Sequence, residues 1–267
     1  MAEKISFRMV KSHENYKELV WRLAKTDFKL RYHGSVLGYI WVILKPLLMF
    51  TILNFVFSSI FNFRNSGTPD YPLELLLALL IFQFFSEGTI MGMNSLVSKA
   101  QLVTKIYIPR WTIVLSSTIN AVLIFGMNLV VLALFFAIYH KLPTLSGILM
   151  FLVYMILLYI LILAFSFLTA PFFVRFRDLG NTWDIILSIF MYASPIIYPL
   201  TMMPEHIRQL ILISPIAYIV HFSKQVLINN TFGTWPDFLA LLSGVIVAVV
   251  IAFLIFRKYE KKVAELI

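Results

Sequence analysis

Glu87 is the residue whose type and position carry the sharpest chemical consequence, because it is a lone carboxylate near the middle of a long apolar stretch, residues 73–97. A charge at that depth is expensive in hydrocarbon and must face protein or water. A buried, hydrogen-bonded structural role and a place on a hydrated path both satisfy that demand, and both readings stand at this point. The other acidic residues near such stretches are Glu74 and Asp184. Three scattered carboxylates do not make a proton relay. No Gly-Lys dipeptide occurs, so no phosphate-cradling loop of the Walker A type is present. The five histidines (13, 33, 140, 206 and 221) show no HExxH or i,i+4 pairing, which speaks against zinc. Cysteine is absent, and with it disulfides, thiolate ligands and a thiol nucleophile. No G-x-S-x-G elbow occurs either.

The elements that must position these residues are set by composition. Of 267 residues, 60% are hydrophobic and 13% charged, and the mean hydropathy is +0.88. Soluble domains carry roughly 45–50% apolar and about 25% charged residues. Too few polar side chains remain to cover a water-soluble body of this size. Lipid must be the main solvent, which excludes a soluble enzyme, a disordered chain and a disulfide scaffold. Six apolar segments follow: residues 36–61, 73–97, 112–139, 148–174, 183–200 and 238–256. Most reach the ~20 helical residues a bilayer core requires. The fifth is short and contains Pro195 and Pro199. Period-2 alternation is missing, so a barrel is not expected. The first 35 residues are too charged for a secretory signal. The expected fold is an all-α polytopic membrane protein with six transmembrane helices, organised as a single domain over 1–267. Residues 1–35 form an N-terminal amphipathic segment, 36–256 the membrane part and 257–267 a tail.

Basic residues give orientation. With both termini in the cytoplasm, 18 of the 22 Lys and Arg residues lie inside, and only Arg64, Lys141, Arg208 and Lys224 lie outside. The net charge of +9 is therefore read as a topology signal and not as a nucleic-acid surface. Residues 201–230 are apolar in pieces of roughly 10–14 residues, too short to span, and are broken by Pro204 and Pro215. Two short re-entrant helices on the outer side are expected there, as an exit gate or an interfacial cap. At the other end, Tyr16, Leu19, Val20, Leu23 and Ala24 fall on one helical face and Glu18, Arg22, Lys25 and Lys29 on the other. That pattern is an amphipathic interface helix, serving as membrane anchor, docking element or both.

Four stretches carry a family resemblance. They are Arg31-Tyr32-His33-Gly34-Ser35-Val36-Leu37-Gly38-Tyr39-Ile40-Trp41 running into Lys45-Pro46-Leu47-Leu48; Asn94-Ser95-Leu96-Val97 followed by Leu102-Val103-Thr104-Lys105-Ile106-Tyr107-Ile108-Pro109-Arg110; Arg175-Phe176-Arg177-Asp178-Leu179; and Ser194-Pro195-Ile196-Ile197-Tyr198-Pro199. In this order on a six-span map, the chain resembles the permease subunit of ABC-2 type exporters, in particular those for O-antigen, capsule and teichoic acid. The resemblance covers nearly the whole chain. It implies a homodimer with two copies of a separate ATP-binding subunit, ATP and Mg bound by that partner and no cofactor in this chain. It also implies a lipid-linked polysaccharide as cargo, and the bacterial cytoplasmic (inner) membrane as location.

Within that frame, the loop between spans two and three carries Lys99, Lys105, Ile106 and Tyr107, with Pro109 ending its short helix. It is the expected ATPase-coupling element. Arg175, Arg177 and Asp178 form a second cytoplasmic contact. Tyr39, Trp41, Tyr192 and Tyr198 rank first among the aromatics as channel-lining rings, since a ring face stacks on sugar C–H groups without gripping them; Glu87 joins them as a candidate for the wall. Two GxxxG patterns, Gly34/Gly38 and Gly88/Gly92, mark expected helix-packing positions. The competing functions are the same fold with a drug, bacteriocin or lipid cargo, a secondary transporter, and a polytopic transferase. Scarce buried titratable groups and the lack of clustered Asp, Glu or His weigh against the last two.

Overall fold

The computed structural model describes residues 16–32, 34–35, 37–60, 70–105 and 108–266. Ten α-helices, and no strand, occur among the described residues. They are α1 (Tyr16–Tyr32), α2 (Ile40–Asn54, extended by a π turn Phe55–Ile60), α3 (Tyr71–Ser98), α4 (Ala100–Lys105), α5 (Arg110–Ile138), α6 (Leu145–Arg175), α7 (Leu179–Ala193), α8 (Glu205–Leu212), α9 (Pro215–Lys224, extended by a π turn Gln225–Asn229) and α10 (Trp235–Leu266). Five stretches are long and apolar enough to cross a membrane: Ile40–Ser58, Tyr71–Ser98, Arg110–Ile138, Leu145–Arg175 and Trp235–Glu260. The bent pair α8–α9 adds a sixth only if counted as one broken span; its two parts meet at 110°.

α3 is the central element. Its apolar window is 72% buried, whereas those of α2 and α10 are 17% buried. Small residues let its neighbours close in. A Cβ added at Gly88 would lie 2.8 Å from Cγ2 of Ile162 on α6 and 3.5 Å from Cβ of Ala121 on α5. A Cβ at Gly92 would overlap Ser166 of α6 and come 3.0 Å from Thr118 of α5. This second GxxxG therefore does what its spacing suggests, close approach of three helices. The first does not. Gly34 and Gly38 have φ of +80° and +46°, and among the described residues a Cβ added at Gly34 would meet nothing within 4 Å and one at Gly38 only the Ser35 carbonyl, at 3.8 Å. They make the left-handed turn between α1 and α2, which glycine adopts without steric cost, and are not packing positions.

The fifth apolar segment also differs from expectation. Its helix begins at Leu179 and stops at Ala193, not at residue 200. Ser194 is extended (φ −92°, ψ 155°), as a residue before proline must be. Fifteen residues reach about 22 Å, less than the ~30 Å hydrocarbon core. The chain then passes through Pro195 and Pro199 into a short 3₁₀ turn, Leu200–Met202, before α8 and α9.

The expected stripe on α1 is the one that is covered. Val20 and Ala24 are buried, and Tyr16, Leu19 and Leu23 are partly so, while Glu18, Arg22, Lys25 and Lys29 are exposed. The helix lies along α5, and Tyr16 meets Trp111 edge-on at 5.8 Å.

Candidate functional site

Long-range contacts sort the molecule into two ends and a groove between them. At one end, the Lys99 ammonium pairs with Asp27 of α1 and donates to the Ser116 and Ser117 hydroxyls at 3.0 and 3.1 Å. Arg110 donates to the Glu260 carbonyl, and Phe172 packs on Tyr259 at 5.1 Å. The start of α5 and the ends of α1, α3, α6 and α10 therefore gather here. At the other end, Lys141 pairs with Asp70 at 2.5 Å, Tyr71 donates to the Ile197 carbonyl at 2.7 Å, and the buried Lys224 donates to the Pro195 carbonyl at 2.5 Å. The bent pair α8 and α9 thus sits opposite the end of α10. Tyr71 and Lys224 clamp the proline loop that terminates α7.

The groove lies between α2 and α3, with Met191 of α7 reaching into it, and has a volume of about 690 Å³. Trp41, Lys45, Gln83 and Glu87 are among the residues that line it. Gln83 and Glu87 are one turn apart on α3, so both project from the same face. Gln83 Nε2 donates to Glu87 Oε1 at 3.0 Å, and Arg31 from the end of α1 lies 3.5 Å from Glu87 Oε2. The carboxylate, whose side chain is 14% exposed, accepts a hydrogen bond on Oε1, while buried Oε2 has the Arg31 guanidinium as an ion-pair partner but accepts no hydrogen bond among the described residues. This meets the requirement for a charge at depth and joins the two readings of Glu87: it is hydrogen-bonded and it borders the groove. Trp41 presents nearly half its surface.

The structure therefore brings together Trp41 and Glu87 among the expected channel residues. Tyr39 stacks on Phe28 of α1 at 5.3 Å and belongs to the α1–α2 junction. Tyr192 projects, 67% exposed, from α7 one residue beyond Met191. Tyr198 is half-buried in the proline loop, its hydroxyl donating to the Ala193 carbonyl at 3.2 Å. Lys45 and Gln83 were not singled out from sequence; the signal was present, since both are polar residues inside apolar helices. The same holds for Asn181 and Ser188, which share an exposed stripe of α7 with Tyr192 and with Asp184, already marked by its charge.

Of the expected coupling residues, Lys99 is turned inward, its side chain only 12% exposed, and ties α1 to α5 instead of presenting its charge outward. Lys105 closes α4; Ile106 and Tyr107 lie outside the described residues. Arg175, Arg177 and Asp178 are all exposed at the turn between α6 and α7. Arg177 lies over the Phe173 ring at 5.7 Å and Arg175 over Phe176 at 5.3 Å. These stacks orient two guanidinium groups at the end where α4 also sits.

Residues 18–228 match the family model described as ABC-2 type transporter. Among similar proteins is the O-antigen export system permease protein RfbA of Klebsiella pneumoniae, 27% identical over 250 residues, which are 94% of this chain and 95% of that protein. The O-antigen export system permease protein RfbA of Myxococcus xanthus is 25% identical over 260 residues, 97% of this chain and 98% of that protein. The matched segment runs from α1 to the π turn after α9, so it contains every element that lines the groove and leaves α10 outside. By this match the chain belongs to the ABC-2 type transporter family, as a multi-pass membrane permease.

Proposed function

We propose that this protein is the membrane permease of an ATP-driven exporter that moves a lipid-linked polysaccharide out of the cytoplasm. The observation that carries the proposal is the similarity to O-antigen export permeases over 94–97% of this chain and 95–98% of those proteins. The groove supports it. A long hydroxylated polymer cannot cross hydrocarbon unaided, since each desolvated hydroxyl costs on the order of 1–3 kcal/mol. Trp41 and Lys45 from α2, with Gln83 and Glu87 from α3, offer a ring face and polar partners for many weak contacts within an otherwise mostly apolar lining. Two copies of the chain would close that groove into a conduit, with the exposed stripe of α7 facing the same space.

In this proposal the chain itself hydrolyses nothing. A separate pair of ATP-binding subunits docks at the end that holds α4 and the α6–α7 turn, with residues 105–107 and Arg175, Arg177 and Asp178 as contacts. Both termini are cytoplasmic, in the inner membrane of a bacterium, and the re-entrant pair faces outward. Deleting the gene in its host tests the assignment. Surface glycan should disappear while its lipid-linked form accumulates inside, and the intact gene should restore export. Loss of resistance to a drug or peptide with normal surface glycan would instead assign a different cargo.

A further inference from the structure

A second groove, about 560 Å³, runs along the seam between α6 and α10, away from the α2–α3 wall. Its floor is made by two small residues, Ala164 of α6 and Ala252 of α10, both buried. On α10 it extends from Val249 to Glu260, eleven residues or about 16 Å of helix. That is about half of the ~30 Å hydrocarbon thickness, the depth of one leaflet. The lining is apolar apart from one end, where Trp111, Arg257 and Glu260 surround the mouth. Trp111 is the kind of residue that sits at headgroup level. Among the described residues, neither the Arg257 guanidinium nor the Glu260 carboxylate is in an ion pair; only the Glu260 backbone carbonyl is engaged, by Arg110.

We infer that this groove holds a bilayer glycerophospholipid bearing a phosphoethanolamine headgroup, one acyl chain lying over Ala164 and Ala252. Three features of the groove select such a molecule. Its length matches an acyl chain confined to one leaflet. Its charges are confined to the end where a headgroup must lie. Those charges have opposite sign and stand three residues apart on one helix face, so a phosphate meets Arg257 in the bidentate manner guanidinium favours and a primary ammonium meets Glu260. A phosphoglycerol headgroup offers Glu260 only neutral hydroxyl donors and no cation, and a choline headgroup offers a cation with no N–H. The lipid would bridge α6 and α10 at the end where α10 also contacts Arg110 and Phe172, and so brace the last turns of a helix that is otherwise little covered. The assignment does not depend on the exported cargo.

The test is native mass spectrometry of the full-length protein released from nanodiscs containing equal parts of dioleoyl phosphatidylethanolamine, phosphatidylglycerol and phosphatidylcholine. One phosphatidylethanolamine should be retained per chain. Arg257→Gln should lower retention about tenfold, the worth of one charge-assisted hydrogen bond, whereas Arg257→Lys should stay within about twofold. Glu260→Gln should abolish the preference over phosphatidylglycerol. Ala252→Phe fills the floor and should remove the lipid; Ala164→Leu serves the same purpose should the larger ring prevent folding, and an unchanged size-exclusion profile checks both. Quenching by brominated acyl chains should be weaker in Trp111→Phe than in the parent protein. Retention that survives both floor-filling variants and Arg257→Gln would overturn the inference. So would stronger retention of a polyprenyl phosphate, or floor variants that split an oligomer and leave lipid retention unchanged.

Discussion

Asp27→Ala removes the carboxylate that the Lys99 ammonium faces and leaves that ammonium, on a side chain only 12% exposed, with the Ser116 and Ser117 hydroxyls alone. A hydrogen bond to a charged group contributes about 1.5–3 kcal/mol, and leaving a buried partner unmatched costs about 1–3 kcal/mol. Asp27 is itself 28% exposed, so water recovers part of the loss and the lower half of that range applies. The contact joins α1 to the α3–α5 end, so the expected effect is on the docking of α1 and not on the spans. Because the chain has no cysteine, Val20→Cys, buried on the covered face of α1, reports docking directly through its alkylation rate. A loss of about 1–2 kcal/mol should speed alkylation roughly 5- to 30-fold in Asp27→Ala, since 1.4 kcal/mol is a factor of ten. Lys99→Met should do the same. The double variant Asp27→Ala with Lys99→Met should be slower to label than either single one, because no unpaired buried charge is left. Singles that label at the parent rate, or a double variant that labels at the product of the single effects, would show that the pair does not hold α1.

Three further outcomes follow from the same geometry. Gly92→Ala should lower thermal stability by about 1–3 kcal/mol through overpacking against Ser166 and Thr118, measured as loss of monodisperse protein on heating, whereas Gly126→Ala, with open space around its Cβ, should not. Trp41→Ala should reduce export about two- to tenfold, the worth of one aromatic contact, with assembly and basal ATP hydrolysis intact; Trp41→Phe should be milder, and normal export by both would make this ring a packing residue. Charge reversal at Lys105, or Ile106→Asp, should cut export at least about tenfold while ATP hydrolysis by the partner continues, as expected for a contact spoiled by like or buried charge; coupled transport in both variants would move the docking site elsewhere.

Residues close in sequence were the legible ones. The apolar stripe of α1 follows from spacing alone, and five of the six apolar segments form helices long enough to span. The early stop of α7 was also written locally, in the Ser194-Pro195 step, but a hydropathy window that counts apolar residues reads through it. Gly34 and Gly38 show why a pattern is weaker than a geometry: the same spacing that packs α3 at Gly88 and Gly92 here supplies two positive-φ turn positions. Lys99 marks the limit of local reading. Its position suggested an outward contact, and only the fold brings Asp27, 72 positions earlier, together with Ser116 and Ser117. The meeting of Trp41 with Glu87 is likewise a product of how α2 lies on α3, which no periodicity encodes.

The most direct measurement is transport in sealed proteoliposomes that contain this chain together with its ATP-binding partner and a fluorescent lipid-linked oligosaccharide. With ATP supplied on the side of the α4 end, the glycan should become accessible to a glycosidase on the opposite side, in step with ATP hydrolysis, and the chain without its partner should move none. Glycan that crosses without ATP, or a complex that hydrolyses ATP and moves a peptide or drug but leaves the glycan in place, would contradict polysaccharide export as the function of this permease.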